Sequence, residues 1–436
     1  MTTSHAAPPS SRRERFAWCM YDFANSGYTT VVLTALFNSY FVGVVAAGLD
    51  GDHAGTATLL WTIAMAIANL LVLLSAPIVG AIADYSAAKK RFLIISTSGC
   101  VLFTAALVLV GPGDVWLGMG LIILATVMFA SGENLIAAFL PELVSPDHMG
   151  RLSGLGWATG YLGGLLTLGL CYGYILWAQG RGESATDYIP MTNLIVATIF
   201  ALAALPTFLW LKERARANRA RSLQSYVRIG FNRLGETWRH ARRYQDLLRF
   251  LGVLTIYYAG IHSVIVLAAI YAREAMGFTT DETLILILVV NITAAAGAFG
   301  FSLFQDRIGS RNAVALALVI WITAITIAYL ATTKPLFWLA ANLIGAAMGA
   351  SQSAGRALVG QFSPAARSGE FFGLWGLAIK LAAIIGPLSY GATNYLFKGD
   401  HRTAILSTLA FFVVGLVLLF SVDEKRGRAN ALAGSS

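Results

Sequence analysis

Apolar stretches about 20 residues long recur from one end of the chain to the other, broken by short polar segments. Each is long enough to cross roughly 30 Å of hydrocarbon as an α-helix. The pattern predicts twelve helices, over 17–48, 57–82, 92–111, 115–140, 152–178, 190–211, 248–272, 283–304, 313–331, 335–355, 370–396 and 403–421. That is an all-α polytopic membrane protein, and an even count puts both termini on one side. The longest polar break, 212–247, separates a six-helix segment (17–211) from a second one (248–421), with tails at 1–16 and 422–436. In and just after the break, Leu223, Val227, Leu234, Trp238 and Leu248 fall close to one helical face of a basic sequence. They predict an amphipathic helix on the inner leaflet; a solvated basic linker is the other reading. The first 15 residues are polar and lack the apolar core and cleavage site of a signal peptide, so they read as a tail.

The two six-helix segments echo each other. "SPDHMGRLSGLGWATG" follows the fourth predicted helix and "SPAARSGEFFGLWGLAIK" the tenth. Pro146 aligns with Pro364 and, after one inserted residue, Gly154 with Gly373 and Tyr161 with Lys380. The breaks after the second and eighth helices also match: "GAIADYSAAKKR" (80–91) and "SLFQDRIGSR" (302–311) both carry an aspartate followed by basic residues. Two six-helix repeats joined by a basic loop is the plan of a two-bundle transporter, whose halves rock about a central site.

Composition agrees: 57% of residues are hydrophobic and 12% charged, where a soluble domain carries about 25% charged residues. Charge then orients the chain. Arg12, Arg13, Arg15, Lys89, Lys90 and Arg91 lie on the side of the tails, as do Arg151 and the basic cluster between Lys212 and Arg249. Arg307, Arg311, Arg356, Arg367, Lys425, Arg426 and Arg428 join them, leaving only Arg181, Arg273, Lys334, Lys398 and Arg402 opposite. The positive-inside rule therefore predicts cytoplasmic termini and a cytoplasmic central loop in an inner (plasma) membrane protein. Topology and contact with anionic lipid account for the net charge of +9, so it does not point to nucleic acid. Cys19, Cys100 and Cys171 fall in or beside apolar stretches and read as small buried hydrophobes.

"GAIADYSAAKKR" resembles the loop signature of the major facilitator superfamily, a helix-ending Gly followed by Asp and a basic cluster. Tyr85 stands for the usual Arg, and Ala87 and Ala88 for Gly and Arg. The copy from Asp306 to Arg311 is closer, with Ser302 for its leading Gly. Three further stretches, "YDFANSGYTTVVLTALF", "FLPELVSPDHMGRLSGLGWATGYLGG" and "GEFFGLWGLAIKLAAIIGPL", resemble one branch. It is the bacterial "unknown major facilitator" proteins, relatives of the autophagy-linked vacuolar amino-acid effluxer of yeast. The resemblance spans nearly the whole chain. It implies a secondary transporter, and through the yeast relative amino-acid export. In the superfamily this loop latches the outward-open state. Asp84 with Lys89, Lys90 and Arg91, and Asp306 with Arg307 and Arg311, are accordingly expected to form an inter-bundle latch; an ordinary interfacial charge cluster is the alternative. The superfamily also implies that helices 1, 4, 7 and 10 line the cavity.

Several polar residues lie inside predicted helices. Lys380 sits about ten residues into the eleventh, near the bilayer midplane. A lipid-facing charge there costs at least roughly 2.5–3.5 kcal/mol on insertion scales, so Lys380 should face the interior. It could bind a substrate carboxylate, exchange a proton, or form a structural ion pair. Glu133, in the fourth helix, is a candidate for proton coupling, because a carboxylate in a low dielectric can exchange protons near neutral pH. It could equally pair with Lys380 or Arg356, or snorkel. His262, beside Tyr257 and Tyr258, could bind substrate or relay protons, although a lone helical His is more often a packing residue. Asp22, Asn25 and Thr29 recur at three and four residues and predict one polar stripe along the first helix, at an inner-gate rim. Asp22 there could pair with a basic loop residue, screen substrate, or simply cap the helix N-terminus. Asn291, Asn342 and Gln352 read as inter-helix glue. Gly156, Gly160, Gly163 and Gly164, with Gly386 before Pro387, are spaced for close helix crossings.

No Gly-Lys-Ser/Thr phosphate loop, catalytic triad, metal-ligand set or redox pair is present in the sequence. The expectation is a non-enzymatic transporter without cofactor or metal, and a monomer. It moves a small organic solute, an amino acid or related metabolite, by alternating access coupled to protons, in the direction of export. Efflux or flipping of a lipophilic compound, or a non-transporting sensor, are the alternatives.

Overall fold

A computed structural model describes residues 10–49, 56–214, 244–397 and 400–433. α1 runs over Arg12–Val45. It is followed by α2 (Thr56–Tyr85), α3 (Lys89–Ala106), α4 (Val115–Ala137), α5 (Met149–Gly180) and α6 (Ala185–Trp210). The second series is α7 (Gln245–Glu274), α8 (Thr280–Ile308), α9 (Ser310–Leu330), α10 (Lys334–Phe362), α11 (Ser368–Leu396) and α12 (His401–Leu419). α13 (Glu424–Ala433) follows, in a stretch expected to be tail. The amphipathic helix predicted in the 212–247 break lies almost wholly outside the described residues.

Eleven helices among the described residues are long and apolar enough to cross a bilayer, against the twelve expected. The exception is α10, which has the length but not the hydropathy: Ser351, Gln352, Ser353, Arg356 and Gln361 crowd its second half. All of these are buried. This half of α10 faces protein instead of lipid, so its composition is that of an interior.

Two boundaries moved for local reasons. α1 starts five residues earlier than the apolar pattern predicts, because Ser11 and Glu14 form a capping box. Ser11 Oγ accepts the Glu14 N–H at 3.2 Å, and Glu14 Oε2 accepts the Ser11 N–H at 2.8 Å. Two of the otherwise orphaned N–H groups of the first turn are thereby satisfied. Further along, α1 leaves α-helical geometry for π-helical turns at Tyr28–Ala35 and Phe41–Val45. α13 is held by its charges. Glu424 accepts the N–H groups of Ser310 and Arg311 at the start of α9, and Arg426 grips Asp246 through two hydrogen bonds.

The buried apolar side chains form two clusters. One draws on Trp18 to Leu211 together with Ala357, the other on Tyr244 to Val422 together with Ala137 and Ala138. The three cysteines are free and buried.

Candidate functional site

The end of the molecule where α1 begins, here termed the basic end, joins the two clusters through reciprocal contacts. Asp84, at the end of α2, accepts the N–H groups of Gly369 and Glu370 at 3.0 and 2.9 Å in the first turn of α11. Asp306, at the end of α8, accepts those of Gly150 and Arg151 at 2.9 and 3.1 Å in the first turn of α5. Each carboxylate thus caps a helix of the opposite cluster, where unsatisfied N–H groups and the helix dipole favour negative charge. The helices cross closely behind each cap. A Cβ on Gly373 would stand 2.6 Å from Ala76 O of α2, and one on Gly154 2.8 Å from Ala298 O of α8. The sequence repeat is therefore visible as two equivalent crossings. Lys89, fully buried, adds an ion pair to Asp84 at 3.4 Å, another to Glu142, and a hydrogen bond to Ser368 Oγ at 2.9 Å.

Not all the basic residues expected at these aspartates meet them. The Lys90 ammonium donates to Leu211 O and its N–H to Glu213, at the end of the first six-helix segment and the start of the 212–247 break. Burial holds the Glu213 carboxyl above its ordinary range. Arg91 and Arg307 are exposed, and Arg311 points to the carbonyls of Leu419 and Phe420. Among the described residues, only Lys89 of the basic side chains expected here pairs with a capping aspartate.

Deeper along the same axis lies a second closure. Arg356 of α10 and Asp22 of α1 form an ion pair at 2.7 Å and are 3% and 8% exposed. The guanidinium also donates to Ser153 Oγ and Ser153 O of α5 at 3.1 and 3.0 Å. It lies 4.5 and 5.3 Å from the ring centroids of Trp18 and Trp157. Its Nε and Nη2 are engaged and two indole rings lie within cation–π distance, which supports a desolvated arginine. Gly156 makes the room: a Cβ there would stand 2.6 Å from Arg356 Nη2 and 2.7 Å from Trp18 Cζ3. Gly160, Gly163 and Gly164 set the α1–α5 crossing beyond it, and Gly386 brings α11 against Ala259 and Ser263 of α7. Asp22 is not a helix cap, because α1 begins ten residues earlier. Its partner is a helical residue rather than a loop residue, because α10 continues seven residues past the predicted end at 355.

Above this floor sit the charges predicted for the pathway. Glu133 of α4 and Lys380 of α11 are each half-buried, and each lies within electrostatic reach of the other. Among the described residues neither makes a hydrogen bond or ion pair, so a gap separates the two charges. Lys380 is 12 residues into α11, roughly 18 Å along its axis. Gly376, one turn earlier on the same face, lets α11 pass α4: its Cβ would stand 2.7 Å from Asn134 Cγ, beside Glu133. Around the gap, Tyr161 donates to Gln352 Oε1, and His262 packs on Tyr258 with ring centroids 6.1 Å apart. His262 Nε2 and Tyr258 Oη are buried without a hydrogen-bond partner among the described residues. An acid, an amine, an imidazole and a phenol thus lie within electrostatic reach of one another. Asn25 is buried near the Asp22 level, while Thr29 donates to Ser26 O at the start of the π-helical run. The regular stripe expected on α1 ends there, because π-turns change the residue spacing. Asn291 and Asn342 donate to carbonyls of their own helices instead of bridging helices. Among the described residues, no group of three or more His, Cys, Asp or Glu is placed to hold a metal.

A family model described as vacuole effluxer Atg22 like matches residues 47–432. The chain belongs to this Atg22-like family. A Bacillus subtilis relative, named as the uncharacterized MFS-type transporter YxiO, is 29% identical over 416 residues, 95% of each chain. Autophagy-related protein 22-1 of Aspergillus niger is 22% identical over 65% of this chain, which spans 48% of that relative's length. The proton:xylose symporter XylE superimposes with a TM-score of 0.74 at 14% identity, covering 97% of this chain and 98% of its own. The human organic anion transporter MFSD10 gives 0.72 at 17%, covering 94% and 99%. The fold is that of the major facilitator superfamily, and this Atg22-like protein is a multi-pass membrane transporter of that superfamily, not an enzyme.

Proposed function

We propose that this transporter exports a small zwitterionic or anionic organic solute, an amino acid or related metabolite, coupled to protons. In this reading twelve spans form two six-helix bundles in the bacterial inner membrane, and the basic end faces the cytoplasm. The two bundles alternate access about the Glu133–Lys380 gap. The observation that carries the reading is the unpaired state of Glu133 and Lys380. Two opposite charges deep in a membrane protein pair with each other unless something else completes them. An α-amino acid would do so, with its ammonium toward Glu133 and its carboxylate toward Lys380, and Tyr258 and His262 within reach of its remaining polar atoms. An apolar cargo would leave both charges without a partner. The caps by Asp84 and Asp306 and the Asp22–Arg356 pair hold the basic end shut, which makes this the outward-facing arrangement. Protonation of Glu133 would weaken its hold on the solute, which couples proton movement to release.

Counterflow in proteoliposomes across a panel of labelled amino acids tests the substrate class. Exchange of at least one member is expected, and exchange of none would sink the amino-acid reading. Lys380→Ala should abolish exchange while Lys380→Arg retains part of it; normal transport by the alanine variant would make Lys380 a packing residue. Glu133→Gln should leave counterflow but flatten its pH profile, and an unchanged profile removes Glu133 as the coupling group.

A further inference from the structure

A cavity of about 520 Å³ opens between α1 and α5 at the basic end, and neither Asp22 nor Arg356 lines it. Its volume is within the roughly 300–1,000 Å³ typical of ligand sites. Helical spacing builds it in layers. On α1, Arg12 and Arg15 precede Phe16 and Cys19 on one face; opposite, His148 just before α5 and Arg151 in its first turn precede Leu152 and Leu155. The cations therefore lie at the outer rim and the apolar side chains deeper, beneath them. The α1–α5 crossing at Gly160, Gly163 and Gly164 pinches the groove shut above, so it is a wedge that widens toward the rim.

Among the described residues, no carboxylate forms an ion pair with the rim arginines, and Asp306, beside Arg151, takes the Gly150 and Arg151 N–H groups. The nearby carboxylates are engaged elsewhere: Glu14 with Arg214 at 2.8 Å and Asp147 with Arg428 at 2.9 Å. Among the described residues, Arg12, Arg15 and Arg151 form no ion pair, and Arg15 Nε is buried without a hydrogen-bond partner. A guanidinium placed in this way lacks an anion that can enter the groove.

We propose that this groove binds one anionic phospholipid, with its phosphate among Arg12, Arg15 and Arg151 and an acyl chain along Phe16, Leu152 and Leu155. The layering selects this occupant. A free oxyanion would use the rim but not the apolar wedge, and a neutral lipid would use the wedge but leave the arginines uncompensated. The site lies outside the solute pathway and does not rest on the transport reading.

The test is titration of delipidated full-length protein with phosphatidylglycerol or phosphatidylethanolamine, followed by native mass spectrometry. One phosphatidylglycerol should bind per chain in preference to phosphatidylethanolamine. Each rim arginine should contribute about fivefold, so combined Arg12→Gln, Arg15→Gln and Arg151→Gln should weaken that binding on the order of 100-fold. Leu155→Trp, which keeps every charge but fills the wedge, should also abolish it. Millimolar inorganic phosphate should not displace the lipid. Equal retention of phosphatidylglycerol by the wild type and the triple variant would overturn the proposal. Displacement by inorganic phosphate, with Leu155→Trp binding normally, would overturn it in favour of a free-oxyanion site.

Discussion

The two repeat-related turns, Asp84–Lys89 between α2 and α3 and Asp306–Arg311 between α8 and α9, do one job with different support. Both aspartates cap the first turn of a helix in the opposite cluster. Behind Asp84 stands a buried network of Lys89, Glu142 and Ser368. Behind Asp306 the support is more exposed: Glu424 takes the Ser310 and Arg311 N–H groups and pairs with Arg428, which also pairs with Asp147, while Arg311, the counterpart of Lys89, is spent on carbonyls at the end of α12. The turns also differ at the third residue after the aspartate. Gly309 sits at φ 87°, where a glycine is at ease, but Ala87 holds φ 47°, a left-handed conformation that costs an L-residue about 1–2 kcal/mol. The cap is the shared element; the fully buried lysine network and the backbone strain belong to the first turn, while the second has a more exposed network of Glu424, Arg428 and Asp147.

That difference can be broken apart by thermal unfolding in detergent. The largest effect is expected from Lys89→Met, which leaves Asp84 and Glu142 buried without their cation and should cost about 3–5 kcal/mol. A loss no greater than that of Asp306→Asn would mean the network carries no weight. Asp84→Asn should cost less, about 2–3 kcal/mol, because Lys89 keeps Glu142. Asp306→Asn should cost about 1 kcal/mol, the ordinary value of a helix cap. Smallest, and opposite in sign, Ala87→Gly should stabilise by about 0.5 kcal/mol, the strain relieved less the freedom glycine adds to the unfolded chain. No gain there would mean that the freedom glycine adds to the unfolded chain cancels the relief.

Much of this was legible in the residues. Hydropathy alone located the long helices, because a bilayer demands about 20 apolar residues whatever their neighbours. The pairing of Pro146 with Pro364 and Gly154 with Gly373 marked the repeat that the structure displays as two crossings. Lys380 and Glu133 stood out because charge inside an apolar run is costly. Other features were present as signals but went unread. The capping box Ser11–Glu14 is a four-residue pattern that would have moved the start of α1, and with it the depth of Asp22. Gly376, one turn before Lys380, has the same spacing logic as the helix 5 glycines.

By itself, the sequence determined that the chain is a helical membrane protein, roughly where its helices run, which breaks are basic and which charges fall inside apolar runs. Those follow from local physics: the period of a helix, the cost of charge in hydrocarbon, the bias of loops. Only the tertiary structure decided who meets whom. Asp22 finds Arg356 across more than 300 residues, Asp84 finds the backbone of α11 instead of Lys90 or Arg91, and Glu133 and Lys380 stand opposite each other without touching. Such pairings depend on how two helices cross, and crossings are set by glycines and volumes on both partners at once. No single stretch of sequence holds that information.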